Sequence, residues 1–400
     1  MASQNGRFFS YRNTASQIIK EYNGGVPFIQ YLKTYFRKFP KYGSRDRRLI
    51  ADLCYGYFRI GCSVQQLDLS DQINIGFFLT HQTDNGYLEA VTPEWIEVLG
   101  SSIQNKSEYI ASLFPFFNSS LIFPFNASLS SGIDKTSLSL SFLQKPSFFI
   151  RVRPGCETVV LQKLGKVSVS FLQEDSSCLK IFNHTDLDSI VDLNKDCVVQ
   201  DISSQKTASL FPDFKQQPID MWDACAASGG KSIMFHDYFP HAKIHVSDVR
   251  ESILTELKKR FTSAGIHAAS IFQVDFTSAT SSNIIKKSIP ATGLDFIIAD
   301  VPCSGSGTWK RDPEWLRKFK EADLEQFQKK QIDIVEKIVP YLKTGGYLMY
   351  ITCSVFKIEN EDVLVAIEKK LGLKKVSASL ISGSESGGDS LFAALLTLKS

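Results

Sequence analysis

Two cysteines, Cys303 in Asp300-Val301-Pro302-Cys303-Ser304-Gly305 and Cys353 in Thr352-Cys353-Ser354, each stand where an apolar run gives way to a turn-forming segment. A thiol at a strand end opens into the crevice where doubly wound sheets bind their ligands. Two such thiols in one chain suggest chemistry with two thiol steps. Four carboxylates accompany them, because Asp223, Asp248, Asp275 and Asp300 close four apolar strands in succession. One aspartate in such a place is ordinarily a helix cap or turn residue. Four of them along one edge of one sheet make a constellation.

The loop after the first of those strands reads Asp223-Ala224-Cys225-Ala226-Ala227-Ser228-Gly229-Gly230-Lys231-Ser232. Small residues and glycines let the backbone approach a ligand closely, and the helix that follows offers its N-terminal amides. Two ligands suit that geometry. A nucleotide phosphate is one, since Gly230-Lys231-Ser232 copies the end of a P-loop, although Cys225 stands where that motif requires glycine. S-adenosylmethionine is the other: its sulfonium cation and ribose hydroxyls favour carboxylates over a positive cradle. Asp248 at the end of the second strand is placed to accept from ribose hydroxyls, as in dinucleotide folds, and Asp275 to lie beside the adenine. The acid-rich edge favours the methyl donor.

The elements that must position these groups follow from the pattern. Candidate strands at 220–224, 243–249, 271–274, 294–299, 347–352 and 391–398 alternate with helical stretches, which predicts an α/β fold with a mainly parallel, Rossmann-like sheet. Upstream, residues 147–182 read as strands and one helix, a small α/β unit. Residues 1–62 read as helical, with Ser44 capping a helix that runs to Arg59 and carries Leu49, Ile50, Leu53 and Tyr57 at helical spacing. Residues 100–145, rich in Ser, Phe and Asn, have no sustained period and read as a linker or an irregular subdomain. The division expected is 1–145 helical and basic, 146–205 small α/β unit, and 206–400 catalytic domain.

Charge sharpens the reading of the N-terminal part. Residues 1–60 hold eleven Lys/Arg against three acids, whereas the 400-residue chain nets only +3. Cations interleaved with Tyr31, Tyr35, Phe36, Tyr42, Tyr55 and Tyr57 fit a polyanion-binding surface, the aromatics serving bases or the core. A solvated helical bundle has the same composition. The eight cysteines include no Cys-x-x-Cys pair and the six histidines, His184 among them, show no ligand spacing, so no zinc site, disulfide framework or other metal is expected. No long apolar run and no basic leader followed by an apolar stretch is present, which predicts a cytoplasmic protein without a membrane partner.

Three long segments together resemble the RNA cytosine-5 methyltransferases, the Sun/Fmu-type ribosomal RNA enzymes and their nucleolar relatives: 223–231, 300–307, and Tyr350-Ile351-Thr352-Cys353-Ser354 with Glu359-Asn360-Glu361. The resemblance covers residues 146–400 well and 30–62 more weakly, through Arg45-Asp46-Arg47-Arg48 and Tyr55-Gly56-Tyr57-Phe58-Arg59. It implies a monomeric enzyme that uses S-adenosylmethionine to form 5-methylcytosine in structured RNA, ribosomal RNA first and transfer RNA second. Cytosine C5 is a poor nucleophile, so a thiolate must first add at C6. By the resemblance Cys353 is that nucleophile, Cys303 assists release, Asp300 holds the cytosine near N3 and also touches the cofactor, and Lys231 offers a cation to a thiolate or phosphate. Cys225, Ala226, Ala227, Ser228, Gly229, Gly230, Lys231, Asp248, Asp275 and Asp300 would form the cofactor site. Ser228 replaces the usual proline and is expected to loosen the loop; Ile351 replaces a serine. Gly307 to Trp315, with two cations and two tryptophans, reads either as an RNA contact beside a flipped base or as a packed loop. Two other classes compete: a P-loop nucleotide-binding protein, and an RNA-binding assembly factor without chemistry.

Overall fold

A computed structural model describes residues 2–182, 186–214 and 218–399, with the side chains of residues 2–5 left aside; His184 lies outside the described residues. Chain contacts group the residues into two units that interleave along the sequence. The first comprises 1–127, 132–145 and 308–321, the second 128–131, 146–307 and 322–400. Among the described residues no helix is long and apolar enough to cross a membrane.

The first unit is helical. Its helices include Ala2–Glu21, Phe28–Lys38, Ser44–Arg59 and Leu69–Thr80. The third buries Leu49, Ile50 and Leu53 as the spacing predicts, while Tyr57 is only half-buried and lies under the Arg317 guanidinium at 3.9 Å. Gly43, not Ser44, is the capping position, and Asp46 Oδ2 accepts from the Gly43 amide at 3.0 Å. Of the two readings of 100–145, the irregular subdomain is the one observed: the stretch forms helices Ile103–Leu113 and Lys135–Ser141 and buries Ile110, Ile122, Phe123 and Phe142. Short turns and helices carry no long period, which hid them. The aromatics Tyr35 and Phe36 are core, and Arg59 is interior, donating to the carbonyls of Phe142, Gln144 and Lys310 at 2.7–3.0 Å. Lys33, Arg37, Lys38, Lys41, Arg45, Arg47 and Arg48 remain exposed.

Trp309 and Lys310 are 1% and 3% exposed inside this unit, with the Trp309 ring against Phe123, Phe125 and Phe319. The packed-loop reading therefore holds for them, while Trp315 is exposed.

The second unit holds two sheets. The small one, β1 (Phe148–Val152), β2 (Phe171–Gln173), β3 (Cys178–Ile181) and β4 (Cys197–Val199), is antiparallel in the order β2-β3-β1-β4 and packs on helix Glu157–Lys166. Arg151 and Arg153 tie it to Asp237 at 2.7 and 2.8 Å. The large one comprises β5 (Asp220–Asp223), β6 (Lys243–Asp248), β7 (Ser270–Gln273), β8 (Leu294–Asp300), β9 (Leu342–Thr352), β10 (Leu373–Ser382) and β11 (Ser390–Leu398). Its order is β10-β11-β9-β8-β5-β6-β7, with β5 to β9 parallel and β9, β11 and β10 antiparallel to their neighbours. All six predicted strands are present. β10, at the edge, escaped the sequence reading because exposed Lys374, Lys375 and Ser379 break its apolar pattern. The parallel order reverses at β5, between β6 and β8, so the ligand crevice belongs beyond the ends of β5 and β8.

Candidate functional site

A cavity of about 1320 Å³ opens at those strand ends, and Cys225, Ala227, Asp248, Asp275, Asp300, Cys303 and Cys353 all line it. Each arrives there by a local device. The loop after β5 turns through Ala227 and Gly229, both with positive φ (46° and 83°). A Cβ on Gly229 would come within 2.8 Å of the Phe261 ring, so the position needs glycine for space as well as conformation. Helix Gly230–Tyr238 follows immediately. Ala226, Ser228, Gly229, Gly230 and Lys231 support this loop from behind: Ala226 is in the core under the sheet, and Ser228 is gripped by Arg260, whose Nη1 donates to its hydroxyl at 2.6 Å and its carbonyl at 2.9 Å. The loosening expected at Ser228 is thus answered by an arginine.

Asp248, 5% exposed, closes β6 and receives the Ala227 amide at 3.0 Å and the Arg250 amide at 2.9 Å. Burial would raise its carboxyl, but the Arg250 guanidinium, at 3.0 and 3.2 Å, and these amides hold it below the usual carboxylate range. Arg250 also lines the cavity and was not singled out from sequence; its signal was a cation two residues past a strand-end carboxylate. Asp275 lies two residues beyond β7, with its Oδ1 accepting from the Thr277 amide and hydroxyl at 2.8 and 2.7 Å, which lowers its carboxyl.

Asp223 departs from the expected row. It is buried at the end of β5, is not among the residues lining the cavity, and receives Ser232 Oγ at 2.6 Å. Burial pushes its carboxyl up to about 7. Three of the four strand-end carboxylates, Asp248, Asp275 and Asp300, therefore line the cavity, together with Asp333 and Glu336 from elsewhere in the chain. Asp300 Oδ2 pairs with Lys231 Nζ at 2.7 Å. Burial works against the Lys231 cation, but this carboxylate beside it keeps its proton more firmly held than usual.

Cys303 and Cys353 come together: their sulfurs are 3.2 Å apart, in hydrogen-bonding contact, and all described cysteines are free. The hydrogen bond with Cys353 and burial push the Cys303 thiol well above its ordinary value. Burial does the same for Cys225. The Cys303 loop lies against the Cys353 turn at Gly307, whose amide donates to the Cys353 carbonyl at 2.9 Å; a Cβ there would meet the Ser390 carbonyl oxygen at 2.0 Å. Asn360, fully buried, donates to the Ser354 carbonyl at 2.9 Å and to Ser130 Oγ at 2.7 Å, and accepts from Thr352 Oγ1 at 2.5 Å. Ser130 itself gave no sequence signal, since it lies 230 residues from Asn360.

Chemically, the site offers a thiol pair at one end and carboxylates that suit a cation and hydroxyls at the other. It does not offer a phosphate cradle. Lys231 and Ser232, the two side chains a P-loop would turn to phosphate and metal, are engaged by Asp300 and Asp223.

Known proteins resemble this chain in fold and in part of its sequence. PH0851, a solved structure, superposes with a TM-score of 0.64 at 19% identity, covering 93% of this chain and 94% of that one. NSun6 from Pyrococcus horikoshii, solved with SFG, gives 0.56 at 13% identity over 74% and 97%. At these identities the likeness is one of fold. Ribosomal RNA small subunit methyltransferase B of Proteus mirabilis is 30% identical over 232 residues, 56% of this chain and 52% of its own length. The Photorhabdus laumondii protein of the same name is 26% identical over 274 residues, 64% and 60%. The chain thus spans about half the length of the curated relatives it matches. Residues 209–388, the segment that holds the cavity's strand-end carboxylates and both thiols, match the family described as 16S rRNA methyltransferase RsmB/F.

Proposed function

We propose that this protein methylates cytosine C5 in RNA, with S-adenosylmethionine as donor and small-subunit ribosomal RNA as first substrate. The observation that carries the reading is the pair of sulfurs 3.2 Å apart on the wall of a cavity whose other end presents Asp248 and Asp275. Residues Cys225 to Lys231, with Asp248 and Asp275, fit the methyl donor: small side chains admit it, and the carboxylates suit its hydroxyls and positive charge. When bound, it supplies an electrophilic methyl group that a neutral cytosine ring would not take.

The chain's own residues make the ring able to take it. Cys353 adds as thiolate to C6, forming an S–C6 bond and leaving C5 enamine-like. Asp300 holds the cytosine edge near N3 in this reading, and its Lys231 partner, at 2.7 Å, orients that carboxylate. After methylation the C5 proton leaves to a base, the S–C6 bond breaks and Cys353 departs with its electron pair, with Cys303 assisting release. The exposed lysines and arginines of the first unit contact RNA phosphates.

Bisulfite maps of total RNA from cells with and without the protein test the assignment. One small-subunit ribosomal cytosine should lose its methyl group. Loss at a transfer RNA site instead would move the substrate, and unchanged maps with no transfer by purified protein would leave an RNA-binding factor.

A further inference from the structure

Behind the two thiols lies a buried carboxylate with no part in the steps above. Glu359 has no solvent exposure, and its two oxygens receive four donors. The Ser304 amide (2.8 Å) and Gln331 Nε2 (3.0 Å) reach Oε1. The hydroxyls of Ser304 and Ser354, each at 2.5 Å, reach Oε2. All four can donate, which matches the acceptor sites a carboxylate offers. The two serines are the immediate C-terminal neighbours of Cys303 and Cys353. A single oxygen thus ties together the loops that carry the two sulfurs. Gln331 extends the tie, donating to the Pro302 carbonyl at 3.1 Å as well.

The arrangement is not symmetric between the thiols. Glu359 takes the backbone amide that follows Cys303, whereas it reaches the Cys353 turn only through a side-chain hydroxyl. On the other side, the Lys231 cation lies within electrostatic reach of Cys353. An anion tied to the Cys303 loop and a cation near Cys353, itself paired with Asp300 at 2.7 Å, favour an unequal division of the shared proton. The negative charge of Glu359 adds to the reasons why Cys303 holds its proton.

Resting on the methyltransferase reading, we propose that Glu359 is a positioning residue: it locks the two thiol loops at contact distance and assigns the shared proton to Cys303, so that Cys353 is the thiolate. The S–H of Cys303 then donates to the Cys353 sulfur, which keeps an otherwise exposed nucleophile oriented. A purely structural clamp would need the four hydrogen bonds but not the charge.

The test uses the reduced full-length protein without RNA. Iodoacetamide labelling across the neutral to alkaline range, read cysteine by cysteine by mass spectrometry, gives each thiol's ionisation midpoint. In wild type Cys353 should label at lower pH than Cys303, and in Glu359→Gln, which keeps shape but removes charge, the Cys303 midpoint should fall by about one pH unit or more. Cys303 labelling first, or a midpoint unmoved in a folded Gln variant, would overturn the proposal. Should the Gln variant not fold, the wild-type order decides alone. A protein that ranks its thiols this way yet transfers no methyl to RNA would refute the proposed activity and leave this inference standing.

Discussion

The loop after β5 and the paired loops after β8 and β9 meet at one cavity, yet they are fastened by opposite means. The first is held from the surface inward. Its carboxylate, Asp248, is gripped by Arg250, whose side chain is 57% exposed, and by a backbone amide. The second is held from the interior outward by Glu359 and Asn360, both without solvent exposure. A binding end can yield as a ligand enters and leaves; an end that must hold two sulfurs in contact cannot. The difference teaches which substitutions should register as altered affinity and which as lost structure or chemistry.

Removing the nucleophile should give the largest effect. Cys353→Ala should lower methyl transfer by about four orders of magnitude or more, while Cys303→Ala should let a denaturant-stable RNA adduct accumulate, seen as a shifted band on a gel. A trapped adduct on Cys303 with 5-fluorocytosine RNA would reverse the two roles. Next, Asn360→Ala strands buried partners at Thr352, Ser354 and Ser130 and should cost about 2 to 4 kcal/mol of stability, measured by denaturant unfolding. Arg250→Ala, at the other end, should cost under about 0.5 kcal/mol yet change the KM for S-adenosylmethionine several-fold. Equal stability losses for the two would erase the contrast drawn between the regions.

The last prediction concerns pH. Asp223 is raised to about 7 from 3.8 by burial, so between those values the folded chain holds a proton that the unfolded chain has released. Its contribution to stability is therefore full in acid and falls as pH rises from about 4 to about 7. Asp223→Asn should flatten that decline, read as the difference in Tm between variant and wild type across the range.

The frame and the residues gathered at the cavity were largely legible in sequence for a physical reason. Strands of a buried parallel sheet are apolar runs ended by turn residues, so β5, β6, β8 and β9 announce both themselves and the groups at their ends. What stayed hidden depends on distance along the chain. Asp223 and Asp248 look alike as strand-end carboxylates, and only the position of Ser232 against Asp223 turns the first inward. Ser130 meets Asn360 across 230 residues. Glu359 was visible as part of a motif, but its bonds to Ser304 depend on how β8 and β9 lie side by side.

The excursion of residues 308–321 has a consequence for anyone dissecting this protein. The chain leaves the second unit just after Gly307, contributes Trp309 to the aromatic core of the first, and returns near residue 322 to build helix Leu324–Ile338. Residues 128–131 make the reciprocal visit. Neither unit is a contiguous cassette. A truncation at residue 146 would strip Trp309 of its ring partners Phe123 and Phe125 and remove Ser130 from beside Asn360. Gene fusions and shuffling between relatives should therefore keep 1–145 and 308–321 from the same parent.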